Sequence, residues 1–207
     1  MARRSEGTIR VLGVDPGTRV AGYGVLDVHA GKRAEYVAAG PIRLPTDQDS
    51  PERLRCLHDR LLEVVAAHEP DALAVETVFH GKSFESVLRV GEARGVVLLL
   101  GANLGLDVQQ FAPAMIKKTA TGNGRASKAQ VQSMITRVLS LPEAPEPVDV
   151  SDALAIAFCY GQRVWRDRLG SKKSSKLDEW ARQTRTERRR RFQALVAKAE
   201  VKKSRGS

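Results

Sequence analysis

The sequence predicts an α/β fold, with a five-stranded sheet of mixed direction, helices on both faces and a basic C-terminal extension. Apolar runs of strand length occur five times in the chain. The first three follow one another through short connections, which is typical of a meander, and the last two alternate with helical patterns. That order implies a single sheet with both antiparallel and parallel neighbours.

The five strands are predicted at residues 8–15, 21–29, 33–44, 71–76 and 106–111. A Pro-Gly turn joins the first two within VLGVDPGTRVAGYGVL and suits an antiparallel hairpin. Two of the five strands end in an acid, since Asp15 closes the first and Glu76 closes the fourth. A carboxylate at the end of a buried strand is costly unless a positive partner meets it, so both acids need an explanation.

The helices are predicted at residues 50–69, 83–104, 113–120, 127–139 and 149–165. In the first of them Ser50 is the expected N-cap and Pro51 the first helical residue. The second helix contains Gly91 and Gly95 on one side. Because glycine weakens a helix, this pair predicts the close approach of another element, such as a second subunit.

Positive charge is concentrated near the C-terminus of the chain, whose formal net charge is +10. Residues 163–207 hold 16 Lys and Arg against 5 Asp and Glu, whereas residues 1–162 hold 18 against 19. We therefore predict a folded domain over 1–165 and a basic tail over 166–207 that is either partly helical or disordered. The densest basic stretch consists of Arg188, Arg189, Arg190 and Arg191. Such a tail is expected to bind a polyanion, most commonly nucleic acid, and the alternative is a solvated, mobile extension.

Several classes of protein do not fit this composition. No apolar run is long enough to span a bilayer, and MARRSEGTIR at the N-terminus lacks the apolar segment of a secretion signal. Cys56 and Cys159 are the two cysteines of the chain, which is too few for a disulfide framework. We expect a cytoplasmic protein with reduced thiols and no membrane partner.

Four acids predict a metal centre. Asp149 and Asp152 lie three residues apart at the start of the last core helix, so they share a face. Taken alone they are explained as helix caps, and Asp15 and Glu76 as turn residues. Together the four can converge at one edge of the sheet, where hard cations such as Mg²⁺ would offset their repulsion. Two such ions about 3.5–4 Å apart support in-line displacement at phosphorus.

Four stretches of the sequence resemble the RuvC family of Holliday-junction resolvases in their order and spacing. The matching stretches are LGVDPGTRVAGYGV, AVETVF…LRVGEARGVV, IKKTATGNGRASKAQVQ and DVSDALAIA, within residues 8–162. The resemblance implies the ribonuclease H-like fold and a homodimeric endonuclease that makes paired nicks in four-way DNA junctions for recombination and repair. It also implies dependence on Mg²⁺ and cooperation with a branch-migration motor. From the four acids we expect two Mg²⁺ ions per active site, with Mn²⁺ as a substitute. Asp15, Glu76, Asp149 and Asp152 match the catalytic acids of the family.

The resemblance also implies contacts with DNA. Phe79 matches an aromatic residue that touches junction bases, and it lies in the polar loop TVFHGKS, where stacking is a better explanation than burial. Lys117 and Lys128 match basic residues near the active site. The neighbouring Lys118 and Arg125 make this segment basic, which suits phosphate contact, although exposed lysines often only face solvent.

Other functions fit the sequence less well. GVDPGT also resembles the phosphate loop of the actin and sugar-kinase ATPases, but those proteins need two lobes and a second phosphate loop, for which this chain is too short. A non-enzymatic nucleic-acid binder would leave the four acids unexplained. Ribonuclease H and the YqgF-type resolvases share the fold, but DALAIA and GNGRASK favour RuvC over both.

Overall fold

The computed structural model describes residues 7–29, 33–77 and 84–170, with only the backbone of 165–170, and the separate residues Glu187, Arg190, Gln193 and Ala194. Its strands are β1 (Ile9–Asp15), β2 (Val20–Val28), β3 (Glu35–Arg43), β4 (Ala72–Glu76) and β5 (Asp107–Phe111). Its helices are α1 (Ser50–His68), α2 (Phe84–Leu104), α3 (Pro113–Thr121), α4 (Lys128–Val138) and α5 (Val148–Gly170).

All five strands form one sheet in the order β3-β2-β1-β4-β5. The pairs β1–β2 and β2–β3 are antiparallel, whereas β1–β4 and β4–β5 are parallel. This arrangement confirms the predicted mixed sheet that begins as a meander. Because the middle strand β1 has an antiparallel and a parallel neighbour, its C-terminal end lies beside the C-terminal end of β4.

Each face of the sheet carries its own core, since successive residues of a strand point to opposite sides. Ile9 and Val11 of β1 belong to the core that includes residues of α3, α4 and α5. Leu12 and Val14 belong to the core under α1 and α2. The predicted helices on both faces are thereby confirmed. Among the described helices, none is long and apolar enough to cross a membrane.

The start of α1 differs from the prediction. Its N-cap is Asp49, whose side chain accepts a hydrogen bond from the Glu52 N–H at 3.1 Å. Ser50 is the first helical residue, and its hydroxyl donates to Glu92 of α2 at 3.2 Å. The prediction of a Ser50 cap was therefore wrong by one residue. Both residue types favour the cap position, so composition alone did not separate them.

Two other expectations meet a different structure. The last helix continues five residues past the predicted end at 165, to Gly170. At Gly91 and Gly95 an added Cβ would meet nothing within 4 Å in the described part of the chain. The close approach predicted there is thus not made by another described element of the same chain. Neither cysteine is in a disulfide; Cys159 is buried and Cys56 is partly buried.

Two glycines of the hairpin allow α5 to lie directly on the sheet. A Cβ added at Gly13 of β1 would stand 2.2 Å from the Ala153 carbonyl oxygen. One added at Gly22, which pairs with Asp15, would stand 1.9 Å from the Asp149 carbonyl oxygen. Any side chain at either position would displace the helix backbone. The missing side chains therefore bring the first turns of α5 to the end of β1.

Replacing Gly13 by Ala is expected to lower the free energy of unfolding by about 1–3 kcal/mol or more, since overpacking a core usually costs that much. Gly24→Ala is the comparison variant, because its Cβ would stand 2.7 Å from Leu154 Cδ2 and 3.0 Å from Leu154 Cα, a smaller conflict with the helix backbone than at Gly13. Urea denaturation of the two variants should show the larger loss for Gly13→Ala. A midpoint equal to that of the unmodified chain would contradict the close contact with α5.

Candidate active site

Asp15 and Glu76 end neighbouring parallel strands. Val14 pairs with Val75 in the ladder between β1 and β4, so the two acids follow at the same edge of the sheet. Glu76 alternates with Ala72 and Ala74, which belong to the core under α5. The same alternation along β1 places Asp15 on the α5 face, two residues beyond Gly13. The strand geometry thus directs both carboxylates towards one helix.

That helix contributes the other two acids. Asp149 and Asp152 lie in the first turns of α5, which the contact at Gly22 holds over the end of β1. The charges of Asp152, Glu76 and Asp149 all act on Asp15. The structure therefore brings the four acids named from the sequence to one end of the sheet, as the convergence argument expected.

The pKa of Asp15 records this crowding. Burial, followed by the negative charges of Asp152 and Glu76, raises the pKa of Asp15 from 3.8 to about 7. Asp149 adds to the rise, and the ammonium of Lys128 lowers the pKa in part. Like charges near a buried carboxyl disfavour its ionised form, so the site holds more negative charge than the protein alone balances.

Lys128 supplies the nearest positive charge. Its Nζ donates to Asp152 Oδ2 at 2.5 Å. Burial lowers the pKa of Lys128, but the hydrogen bond to Asp152 and the charges of the acids outweigh it, so the pKa is raised. The start of α4 fixes this lysine through a capping box in which Ser127 accepts from the Gln130 N–H and donates its own N–H to the Gln130 side chain.

The side chains as they stand do not form a closed metal cage. Over residues 7–29, 33–77 and 84–164, no group of three or more His, Cys, Asp and Glu side chains stands ready to hold an ion. Asp152 is instead paired with Lys128. The donor set itself is four carboxylates, which are the oxygen ligands that hard divalent cations prefer. The residues therefore fit such ions by chemistry.

The candidate DNA-contacting residues differ in how exposed they are. Lys117 is partly buried and Lys118 exposed on α3, and Arg125 is exposed in the loop that leads to Lys128. That loop is ordered by Asn123, whose side chain accepts from the Arg125 N–H at 3.0 Å. Phe79, Arg188, Arg189 and Arg191 lie outside the described residues, and Arg190 is described as exposed.

Arg94 was missed by the sequence analysis. Its Nε donates to the main-chain oxygen of Glu76 at 3.2 Å, and a terminal nitrogen donates to the side-chain oxygen of Gln110. The available signal was a single arginine between Gly91 and Gly95, within an otherwise largely apolar part of α2.

Comparisons with known proteins agree on one family. A family model described as "Crossover junction endodeoxyribonuclease RuvC" matches residues 11–160. The RuvC of Pelotomaculum thermopropionicum is 42% identical over 160 residues, which cover 77% of this chain and 97% of that protein. The RuvC of Salinibacter ruber is 44% identical over 157 residues, with 76% and 87% covered.

Solved structures match as well. Thermus thermophilus RuvC in complex with a Holliday-junction substrate aligns with a TM-score of 0.72 and 33% identity, covering 77% of this chain and 96% of that one. The yeast mitochondrial Holliday-junction resolvase has a TM-score of 0.58 at 14% identity, covering 87% and 86%, and supports the fold alone. The chain therefore belongs to the RuvC family of crossover junction endodeoxyribonucleases.

Proposed function

We propose that this chain cleaves four-way DNA junctions by metal-dependent hydrolysis, with Asp15, Glu76, Asp149 and Asp152 as the metal ligands. One observation carries the assignment of the site: burial and the other three acids raise the pKa of Asp15 to about 7. A bound cation would relieve this repulsion and restore the ionised form of Asp15. Membership of a metal-dependent nuclease family supports the same assignment.

We expect two Mg²⁺ ions per site, with Mn²⁺ as a substitute. When bound, such ions lower the pKa of an attacking water and stabilise the leaving 3′ oxygen. The protein's own part is to hold the carboxylates rigidly, and the strand ends at Asp15 and Glu76 do this from the sheet. Lys128 places an ammonium at Asp152, where it can also meet a phosphate oxygen of the cleaved strand.

The DNA contacts form a second part of the proposal. Lys117, Lys118 and Arg125 precede Lys128 in the sequence, and we propose that they contact phosphates of the DNA beside the acids. For Phe79 we keep the proposal of stacking on junction bases, made from its sequence position beyond Glu76. The tail at 166–207, including Arg188–Arg191, is proposed to hold the phosphates of a junction arm.

We also propose a two-fold dimer built on α2. Phe84, Leu88 and Leu99 are 84%, 55% and 60% exposed. Together with Gly91 and Gly95 they follow helical spacing along one face of α2. A large apolar stripe with two glycines suits close packing against a copy of itself. A two-fold dimer would present one site to each of two symmetric strands. We further propose that the protein acts in the cytoplasm and cooperates with a branch-migration motor.

The acids are tested by four substitutions on a synthetic four-way junction with Mg²⁺: Asp15→Asn, Glu76→Gln, Asp149→Asn and Asp152→Asn. Each is expected to lower the cleavage rate by about 100-fold or more and to leave junction binding intact, since the charge is lost without a change of shape. Asp47→Asn, an exposed acid, is the charge-matched control. An RNA–DNA hybrid and ATP serve as alternative substrates. If two of the four variants cut at the unmodified rate, the site is wrongly assigned.

The raised pKa of Asp15 predicts a pH-dependent stability without metal. The unfolded chain releases this proton near 3.8 and the folded chain near 7, so the folded state holds more protons between these values. The free energy of unfolding therefore falls as pH rises through this range. Asp15→Asn removes the free-energy cost of ionising Asp15 in the folded state, which is at most about 4 kcal/mol. It should melt higher than the unmodified chain at high pH in EDTA, with no difference at pH values below 3.8.

Added Mg²⁺ should raise the melting temperature of the unmodified chain more than that of Asp15→Asn, because the cation relieves a repulsion that the variant has lost. Asp47→Asn again serves as the control. If Asp15→Asn and the unmodified chain differ in melting temperature by the same amount at every pH, the pKa of Asp15 is not raised in the folded protein.

The dimer is tested with Leu99→Glu. Because Leu99 is exposed within the chain, the substitution should leave each subunit folded but place charge in the proposed interface. Light scattering at micromolar concentration should report a monomer, and the two nicks in one junction should become uncoupled. Tyr36→Glu, at an exposed apolar residue of β3, is the control and should keep the mass of the unmodified chain. A chain that is already monomeric on the junction would rule the dimer out.

A further inference from the structure

Arg94 joins α2 to the end of the strand that carries Glu76. Its Nε donates to the Glu76 main-chain oxygen at 3.2 Å, across 18 residues of sequence. A terminal nitrogen of the same guanidinium donates to the Gln110 side-chain oxygen on β5. One side chain of α2 therefore holds the C-terminal ends of β4 and β5. A planar guanidinium with several donors can make both bonds at once, whereas a lysine ammonium on its single stem fits this fork less well.

The backbone at Glu76 is held from β5 as well. The Thr77 N–H donates to the Phe111 carbonyl at 2.9 Å and extends the ladder one residue past β4. Thr77 Oγ1 donates to the same oxygen at 3.4 Å. These bonds fix the chain just beyond Glu76, and the bond from Arg94 fixes the carbonyl of Glu76 itself. The path of the chain at the acid thus depends on β5 and on α2 together.

The two faces of the sheet have separate tasks here. The Glu76 side chain follows Ala72 and Ala74 towards α5 and the other acids. Arg94 comes from α2, which packs on the opposite face through Val97 and Leu100. It therefore acts on the main chain of Glu76 from behind the acid cluster. Outer groups that hydrogen-bond a ligating side chain typically change metal affinity about 10- to 100-fold when they are lost, and Arg94 holds the main chain of such a residue.

We propose that Arg94 is a positioning residue that sets the Glu76 carboxylate for metal binding and makes its position depend on the placement of α2. This inference rests on the proposed role of the four acids as metal ligands. It gives α2 a second task beside the proposed dimer face, because a shift of the helix would reach the acid through a single guanidinium.

Arg94→Met tests the proposal, since it keeps much of the side-chain length and removes every donor. At saturating junction, the Mg²⁺ concentration for half-maximal cleavage is expected to rise about 10- to 100-fold, which is the usual effect of losing a group that orients a metal ligand. Junction binding in EDTA should stay unchanged. Arg94→Lys should recover part of the loss through one bond to the Glu76 oxygen. Arg89→Met is the control on the same helix, because that guanidinium pairs with Glu85.

A purely structural role predicts a different pattern: Arg94→Met would melt lower by the same amount with and without Mg²⁺, and its Mg²⁺ midpoint would stay in place. That result overturns the inference. If Arg94→Met does not fold, Gln110→Ala removes the other anchor of the guanidinium and should raise the midpoint by a smaller factor. An unchanged midpoint in Gln110→Ala would then overturn the inference.

Asp15→Asn, run in the same series, separates this inference from the proposed function. If Asp15→Asn is inactive while Arg94→Met shows the unmodified midpoint, only the positioning role is wrong. If Asp15→Asn cuts at the unmodified rate, the metal site is wrongly assigned and the positioning role falls with it.

Discussion

The contact between α5 and the centre of the sheet determines where the rest of the site lies. Gly13 and Gly22 remove the side chains that would hold the helix away, and the helix backbone fills the space. The helix residues that face the sheet are small or tightly packed, with Ala153, Leu154 and Ala157 fully buried. A displacement of this helix would separate two of the four acids from the other two. The packing of apolar residues thus fixes a distance between charges.

Holding those charges together costs free energy, and the fold contains features that oppose the cost. At the site itself the Lys128 ammonium pairs with Asp152. At the opposite end of β1, Arg10 makes two bonds to Asp27, at 2.7 and 2.6 Å, and a third to the His68 carbonyl at 3.0 Å. This network ties β1 to β2 and to the end of α1. The strand that ends in the most strongly perturbed acid is therefore anchored far from the repulsion.

Much of the fold, and the meeting of the four acids at one end of the sheet, could be predicted from sequence because each depends on local pattern. Strand periodicity located Asp15 and Glu76, and the parallel neighbours of one sheet made their convergence necessary. The N-cap of α1 could not be assigned because Asp49 and Ser50 are both good caps, and only the conformation distinguishes them. The contacts of Arg94 could not be predicted because its partners lie 18 and 16 residues away, and no pattern within one helix indicates such contacts.

The position of α2 links its exposed apolar side to the acid at the end of β4. Its inner side packs on the sheet through Val97 and Leu100, and its outer side exposes Leu88 and Leu99. Arg94 projects between these two sides and holds the main chain at Glu76. A partner that covered the outer side would restrict the movement of the helix, and this restriction would reach the acid through the same hydrogen bond. In such an arrangement the pairing of two subunits and the order of each metal site are not independent, because one rigid helix takes part in both.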